Sequence, residues 1–295
     1  MALDGATLPD VGVIDTMINL PSSSKKDWYK FLTPQLRDKE STEDFEFPVE
    51  YMFKDVPDDL PEDADATMTI LAEMDKYGID IGLVGVAVGR DASIDAIRDN
   101  PTRFRACYEI DPNRAMDGVR ELERAVKELG VVAASFFPSG KNPQVPINDK
   151  KVFPFYAKCV ELDIPIFVCA GVPGPRVPAA CQDVMLIDEV CWYFPELKFV
   201  TRHGCEPWQD LAVKLMLKWP NLYYSTSAFA PKYYPRAIVD YANTRGADKI
   251  IYAGYFPMGL SLERIFSELP HVGFEDHVWP KFLRENAARV LGIDS

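Results

Sequence analysis

Histidine is almost missing from this chain: His203, His271 and His277 are the only three in 295 residues. The last two sit in a polar C-terminal connection where a surface role is expected, which leaves His203 alone for chemistry at a buried site. No C-x-x-C pair occurs among the six cysteines, 107, 159, 169, 181, 191 and 205. That spacing excludes a ribbon-type zinc site and points to reduced, buried thiols in a cytoplasmic protein. Basic residues are outnumbered by acidic ones, 32 to 45, for a formal net charge of −13. Nucleic acid and anionic membranes are thereby excluded as partners. A small anionic substrate is not, because one inward-facing arginine outweighs a diffuse acidic surface. The longest apolar stretch, 79–89, is broken by Asp80 and falls far short of the ~20 residues of a membrane span. Residues 1–10 carry acidic side chains with no basic cluster or apolar core, so no signal peptide is expected. There is no G-x-x-x-x-G-K-[ST], no G-x-G-x-x-G and no G-x-S-x-G, which removes the usual phosphate cradles and the serine-hydrolase elbow.

What is present is an ordinary globular balance, 47% apolar and 26% charged. β-Branched or aromatic runs at 12–17, 81–88, 104–110, 131–136, 164–170, 198–201, 222–225 and 249–253 alternate with amphipathic segments. Eight such βα units are the count a closed (β/α)8 TIM barrel requires, and the length suits one. Met116, Val119, Leu122, Val126 and Leu129 recur at helical steps before Gly130; Met68, Leu71, Met74 and Tyr77 do so before Gly78. Leu211, Leu215 and Leu217 recur before Pro220, which stops that helix. Residues 21–61 form a long insertion after the first strand, rich in Trp28, Tyr29, Phe31, Phe45, Phe47, Tyr51 and Phe53. A loop this apolar is expected to be a lid or an interface element, and its surface suggests a homodimer. With no repeat or linker, residues 1–295 read as a single domain.

Several phrases carry a resemblance. They are Val-Ile-Asp-Thr-Met-Ile-Asn at 13–19, Asp-Lys-Lys-Val-Phe-Pro-Phe-Tyr at 149–156 and Pro-Ile-Phe-Val-Cys-Ala-Gly at 165–171. Thr-Arg-His-Gly at 201–204, Tyr-Ala-Gly-Tyr-Phe-Pro at 252–257 and the closing segment 282–292 complete the set. Over most of the chain they resemble the amidohydrolase-related family, the branch of aminocarboxymuconate-semialdehyde decarboxylase, aromatic-acid decarboxylases and lactone hydrolases. The resemblance implies a barrel with zinc held by five ligands. Those positions fall here on Met17, Asn19, Cys169, His203 and Tyr255, so only the histidine matches. A thioether, a neutral amide and a phenol are poor zinc ligands, and no metal and no cofactor are therefore expected. The rival is a rebuilt site using Cys169 and His203, with Asp15 or Cys205 added.

Residues just past the strand ends face the common pocket of a parallel barrel. Here they are Asn19, Arg90, Glu109, Phe137 or Ser139, Cys169, His203, Ser225 or Ser227, and Tyr255. His203 is the candidate general acid/base, its imidazole expected to titrate near neutrality; an inert fossil ligand is the bland alternative. Cys169 reads as a nucleophile or as a small core filler, Tyr255 as a proton donor or a plug of the emptied site. Glu109 is a candidate base, and Asp15 a base or an orienting group. Asn19, Arg90, Met17, Asp15 and Ser227 complete the expected substrate contacts. Arg90 and Arg202 suit a carboxylate; strand alternation is expected to turn Arg202 away from His203, toward the helix layer. The expected function is a metal-independent hydrolase or C–C lyase, such as a decarboxylase, acting on a small carboxylate or lactone. An inactive barrel that binds a ligand or partner protein is the alternative.

Overall fold

The computed structural model describes residues 8–54, 56–86 and 91–293. Its eight strands are β1 (Val13–Asp15), β2 (Ile79–Val86), β3 (Phe104–Glu109), β4 (Val131–Phe136), β5 (Ile166–Cys169), β6 (Phe199–Arg202), β7 (Leu222–Ser225) and β8 (Ile250–Ile251). They pair in chain order and in parallel throughout. The ring closes just beyond β1 and β8. The Tyr255 amide donates to Met17 O at 2.9 Å, and the Asn19 amide to Phe256 O at 3.0 Å. The expected (β/α)8 barrel is therefore present. Strand β8 is shorter than the 249–253 expected, because residues 252–256 leave the β7 ladder to make this seam. The run expected at 81–88 starts two residues earlier, at Ile79; positions 87 and 88 lie outside the described residues.

The helices follow local signals. Asp65 caps Ala66–Lys76 by accepting from the amides of Thr67 and Met68, at 2.8 and 3.0 Å. Ala115–Leu129 buries Val119, Leu122 and Ala125, and ends at Gly130, whose φ of 62° only glycine adopts without strain. The ends of its predicted stripe, Met116 and Leu129, are exposed. In Gln209–Lys218 the buried residues are Ala212, Leu215 and Met216, and Leu217 faces solvent.

The strands carry two faces, and their phase decides the site. Ile14, Leu83, Cys107, Ala133, Phe167 and Val200 form one buried layer inside the barrel, closed below by Ala287, Val290 and Leu291. The last three belong to the terminal helix Asn286–Leu291, the closing element expected from the sequence. Alternate residues such as Val84, Ala134, Val168 and Phe199 pack outward into the main core. Two residues further up the same strands come Gly85, Glu109, Ser135, Cys169 and Arg202. All five line the cavity at the C-terminal end of the barrel.

The insertion lies over that end. It contains a helical turn at Lys25–Trp28, a 3-10 segment at Lys30–Gln35 and a wide turn at Glu40–Asp44. Buried Lys25 pairs with Asp59 at 2.6 Å. Arg176, from the loop after β5, bonds Asp38 and Glu40 at 2.7 Å and lies over the rings of Phe45 and Tyr51. Tyr51 Oη donates to Gly174 O at 2.6 Å. Phe47 is buried. Phe31 and Tyr51 stay exposed, at 47% and 51%, so the aromatic surface that suggested a dimer is only partly spent within the chain.

Candidate active site

The barrel mouth holds a cavity of about 1630 Å³, larger than the ~300–1,000 Å³ of most small-molecule sites. Its upper wall is largely aromatic: the insertion contributes Trp28, Tyr29, Phe31 and Phe53, and Phe229 and Tyr233 join them. Its charge runs against that of the chain. Lys54, Arg114, Lys141, Arg202, Lys232 and Arg264 line it, against Glu109, Asp111, Glu206 and Glu268.

Glu109 extends from the end of β3 and is saturated with donors. Its carboxylate accepts from Ser135 Oγ at 2.6 Å, Lys141 Nζ at 2.7 Å and the Phe137 amide at 3.0 Å. Burial pushes its carboxyl up, but Lys141, Ser135 and the amide outweigh burial and hold it below the usual carboxylate range. Glu109 and Lys141 thus form a fixed carboxylate–ammonium pair facing the cavity.

Arg202 ends β6, in phase with the interior residue Val200. It is 8% exposed. Its guanidinium lies 4.8 Å from the Phe167 ring centre and gives one bond, from Nη2 to Thr16 O at 3.3 Å, with the Cys107 sulfur at 3.9 Å. Nε is buried without a partner. The expectation that alternation sends Arg202 to the helix layer is corrected: it faces inward. His203 also lines the cavity, because the chain leaves the strand with φ of 64° at His203 and the alternation stops there.

Ser227 fixes the His203 ring. Its Oγ accepts from the His203 amide at 3.1 Å and meets Nδ1 at 3.2 Å. The hydroxyl can give its proton to Nδ1 or accept one from it, so this contact fixes the ring's orientation while either tautomer satisfies it. Burial first, and Arg202 second, push the imidazole down to about 3. The near-neutral titration expected for His203 is therefore corrected: the ring is a neutral hydrogen-bonding group at physiological pH. Tyr255 packs edge-on against it, ring centres 5.3 Å apart, stacks on Phe53 at 5.8 Å and meets Tyr29 Oη at 3.3 Å. Burial raises the Tyr255 phenol well above its ordinary value.

Asp15 lies below the cavity and does not line it. Its Oδ1 accepts from the amides of Met17 and Gly254, both at 2.9 Å, while Oδ2 is buried without a partner. Burial pushes its carboxyl up to about 6, against the lowering effect of the two amides and Arg202. It orients the β1–β8 seam rather than touching a ligand. Cys169 lines the cavity, but burial pushes its thiol up to about 12, the opposite of what a nucleophile needs.

The five positions on which the resemblance places metal ligands make a weak donor set. Met17 offers a thioether. Asn19 Oδ1 accepts from the Gly85 amide at 3.3 Å, and its Nδ2 meets the Met258 sulfur at 3.4 Å. Cys169 and Tyr255 would each have to lose a proton to bind, and Cys205 is buried outside the cavity lining. Among the described residues no three His, Cys, Asp or Glu side chains converge as a metal site. The set does not fit a catalytic divalent cation, and the rebuilt Cys169–His203 site finds no third ligand there.

Of the expected site residues, Met17, Asn19, Glu109, Cys169, His203 and Tyr255 meet in one cavity. Ser227 stands behind His203. Ser139 and Ser225 are buried elsewhere, and Phe137 takes the lining position. Arg90 lies outside the described residues. Lys141, Ser135 and Gln182 were not singled out from sequence. Lys141, five residues past β4, was the one with a readable signal: a lysine just beyond a strand's C-terminal end.

Comparison with known proteins agrees with this architecture. The family model described as amidohydrolase matches residues 25–293. A 2-keto-4-carboxy-3-hexenedioate hydratase of Sphingobium sp. is 31% identical over 100 residues, 29% of this chain and 29% of that enzyme's length. An uncharacterised TIM-barrel protein of Bordetella bronchiseptica superposes with a TM-score of 0.72 at 20% identity, over 95% of this chain and 98% of that one. The 5-carboxyvanillate decarboxylase of Novosphingobium aromaticivorans, complexed with manganese and 4-hydroxy-3-methoxy-5-nitrobenzoic acid, gives 0.69 at 16% identity, over 99% and 100%. At these identities the two structures establish the fold.

Proposed function

The chain belongs to the amidohydrolase family, and from that premise we propose that it is a lyase or hydrolase for a small carboxylate, of the decarboxylase or hydratase kind, working without a divalent cation. The observation that carries this reading is the charge of the cavity: a chain of net −13 gathers six lysines and arginines around an aromatic pocket with four carboxylates. Such a site attracts an anion and buries an apolar body. The relatives named above, a hydratase and a decarboxylase, act on molecules of that class.

The chemistry divides among the residues that face the cavity. Glu109, held ionised by three donors, is too weak a base to take a further proton and instead positions Lys141, which lines the cavity as a cationic hydrogen-bond donor. His203 keeps a place in the mechanism, through the one N–H of its neutral ring, as a donor to a developing oxyanion. Tyr255, edge-on against His203 and lining the same cavity, is a second donor. The insertion, with Trp28, Phe31 and Phe53 on the cavity wall, is the lid that keeps water out.

A second reading, a barrel that binds without turnover, has its own support. The His203 ring sits near 3 and the Cys169 thiol near 12, so neither exchanges protons at neutral pH.

The test combines metal analysis with turnover. Protein purified without chelators is expected to hold less than about a tenth of an equivalent of zinc, manganese or iron. It should release carbon dioxide from, or hydrate, some member of a panel of hydroxybenzoates and unsaturated dicarboxylates, and be unaffected by EDTA. Activity that appears only with added manganese or zinc would sink the metal-free reading. No turnover across the panel, with ligands still bound, would favour the binding-only barrel.

A further inference from the structure

Arg202 is a buried cation with no close counter-ion. No carboxylate oxygen among the described residues pairs with its guanidinium; Lys141 has Glu109 and Lys25 has Asp59, but Arg202 has only a backbone carbonyl and a thiol. Asp15 acts on it through space, yet spends Oδ1 on backbone amides, and its other oxygen makes no bond. A buried charge is normally retained only when it is paired and its hydrogens are satisfied. Here Nε has no partner, and Nη1 makes no hydrogen bond among the described residues. One face of the guanidinium is packed on Phe167, which fixes its plane. The side chain lines the cavity beside Cys169 and His203.

We propose that Arg202 is the anchor for a substrate carboxylate, and that its fixed charge does at the barrel centre the anion-binding work for which the chain has kept no metal ligands. The inference rests on the small-carboxylate part of the preceding reading and adds the residue that selects it. With Nη2 spent on Thr16 O and the Cys107 sulfur, Nη1 is the nitrogen left to donate to a carboxylate, and the packing on Phe167 fixes the direction from which it does so. Lys141 Nζ, with one hydrogen on Glu109, has others to give the same group. The aromatic wall of Trp28, Phe31 and Phe53 then receives the body of the molecule, which makes the preferred ligand an aromatic or unsaturated acid rather than a short aliphatic one.

Benzoate and its neutral isostere benzamide are the probes, measured by calorimetry on wild type, Arg202→Met and Arg202→Lys. Wild type is expected to bind benzoate more tightly than benzamide. Arg202→Met should weaken benzoate by about tenfold to a hundredfold, the scale of a lost charge-assisted hydrogen bond, and leave benzamide unchanged. Arg202→Lys should fall between. The free Arg202→Met protein should melt no lower than wild type, because it removes an unpaired buried charge. Benzoate binding by Arg202→Met within about twofold of wild type, or no preference for benzoate over benzamide in wild type, overturns the assignment. So does an Arg202→Met protein that fails to fold, which would make the residue a structural one. Binding is read without turnover, so the two readings fail separately. A protein that binds benzoate through Arg202 but transforms nothing loses only the enzyme reading. Turnover by Arg202→Met at wild-type KM loses only the anchor.

Discussion

At the residue scale the site is governed by burial more than by residue type. His203, Cys169 and Tyr255 are the side chains a reader of the sequence would choose for proton transfer or attack. The fold holds each in its neutral form, because burial removes the water that would stabilise the charged one. Asp15 makes the point testable. Its carboxyl moves from an ordinary 3.8 to about 6 on folding. A raised acid binds its proton more tightly in the folded state, so its contribution is fully present below pH 3.8 and lost as the pH rises through 6. The full swing is about 3 kcal/mol at most. Asp15→Asn cannot ionise, and its amide oxygen still accepts from Met17 and Gly254. Its melting temperature relative to wild type is expected to climb between pH 4 and pH 7, then level off. Parallel curves for the two proteins would mean that Asp15 is not perturbed. Arg202 carries the other lesson at this scale. Its inward direction was legible, since Val200, two residues earlier, belongs to an apolar alternation that continues to it. The error came from counting the alternation through His203, where the strand has already ended.

At the element scale, the eight strands were readable because each is a short run of β-branched or aromatic residues between polar segments. Their ends were not, because a strand buried on both faces has no polar phase to mark where pairing stops. The turn after β6 shows what the pattern hides. His203, Gly204 and Cys205 have φ values of 64°, 79° and 57°, three left-handed residues in a row. That turn points His203 into the cavity directly after Arg202. Gly204 relieves it at the tightest place, since a Cβ there would lie 2.3 Å from the Phe229 ring, itself part of the cavity wall. Gly204→Ala is expected to cost about 1–3 kcal/mol, from left-handed strain plus the displaced ring. It should also alter the tryptophan and tyrosine near-ultraviolet circular dichroism of the pocket. A melting temperature within a degree of wild type would show that the turn relaxes freely. No sequence pattern announced this turn; Thr-Arg-His-Gly reads equally well as a strand that continues.

At the scale of the whole molecule, charge decides how an anion reaches the site, and the two fields involved have opposite sign. The chain as a whole carries −13, while the cavity lining carries more cations than carboxylates. Which one an approaching carboxylate feels depends on the screening length. At ~0.01 M salt that length is about 30 Å, comparable with the domain, and the net negative charge repels the ligand. At ~0.15 M it falls to about 8 Å, so the distant acids are screened while Arg202, Lys141 and the rim cations Lys54, Lys232 and Arg264 still act across the cavity. Near 1 M it is about 3 Å, and the rim too is screened, although the contact with buried Arg202 survives. Benzoate affinity is therefore expected to rise from low to intermediate salt and fall again above it, with benzamide flat throughout. A steady fall from the lowest salt upward would mean that the cavity field dominates at every distance and that the acidic surface is irrelevant to capture. A steady rise would mean that the rim cations contribute nothing and that Arg202 with Lys141 alone holds the anion.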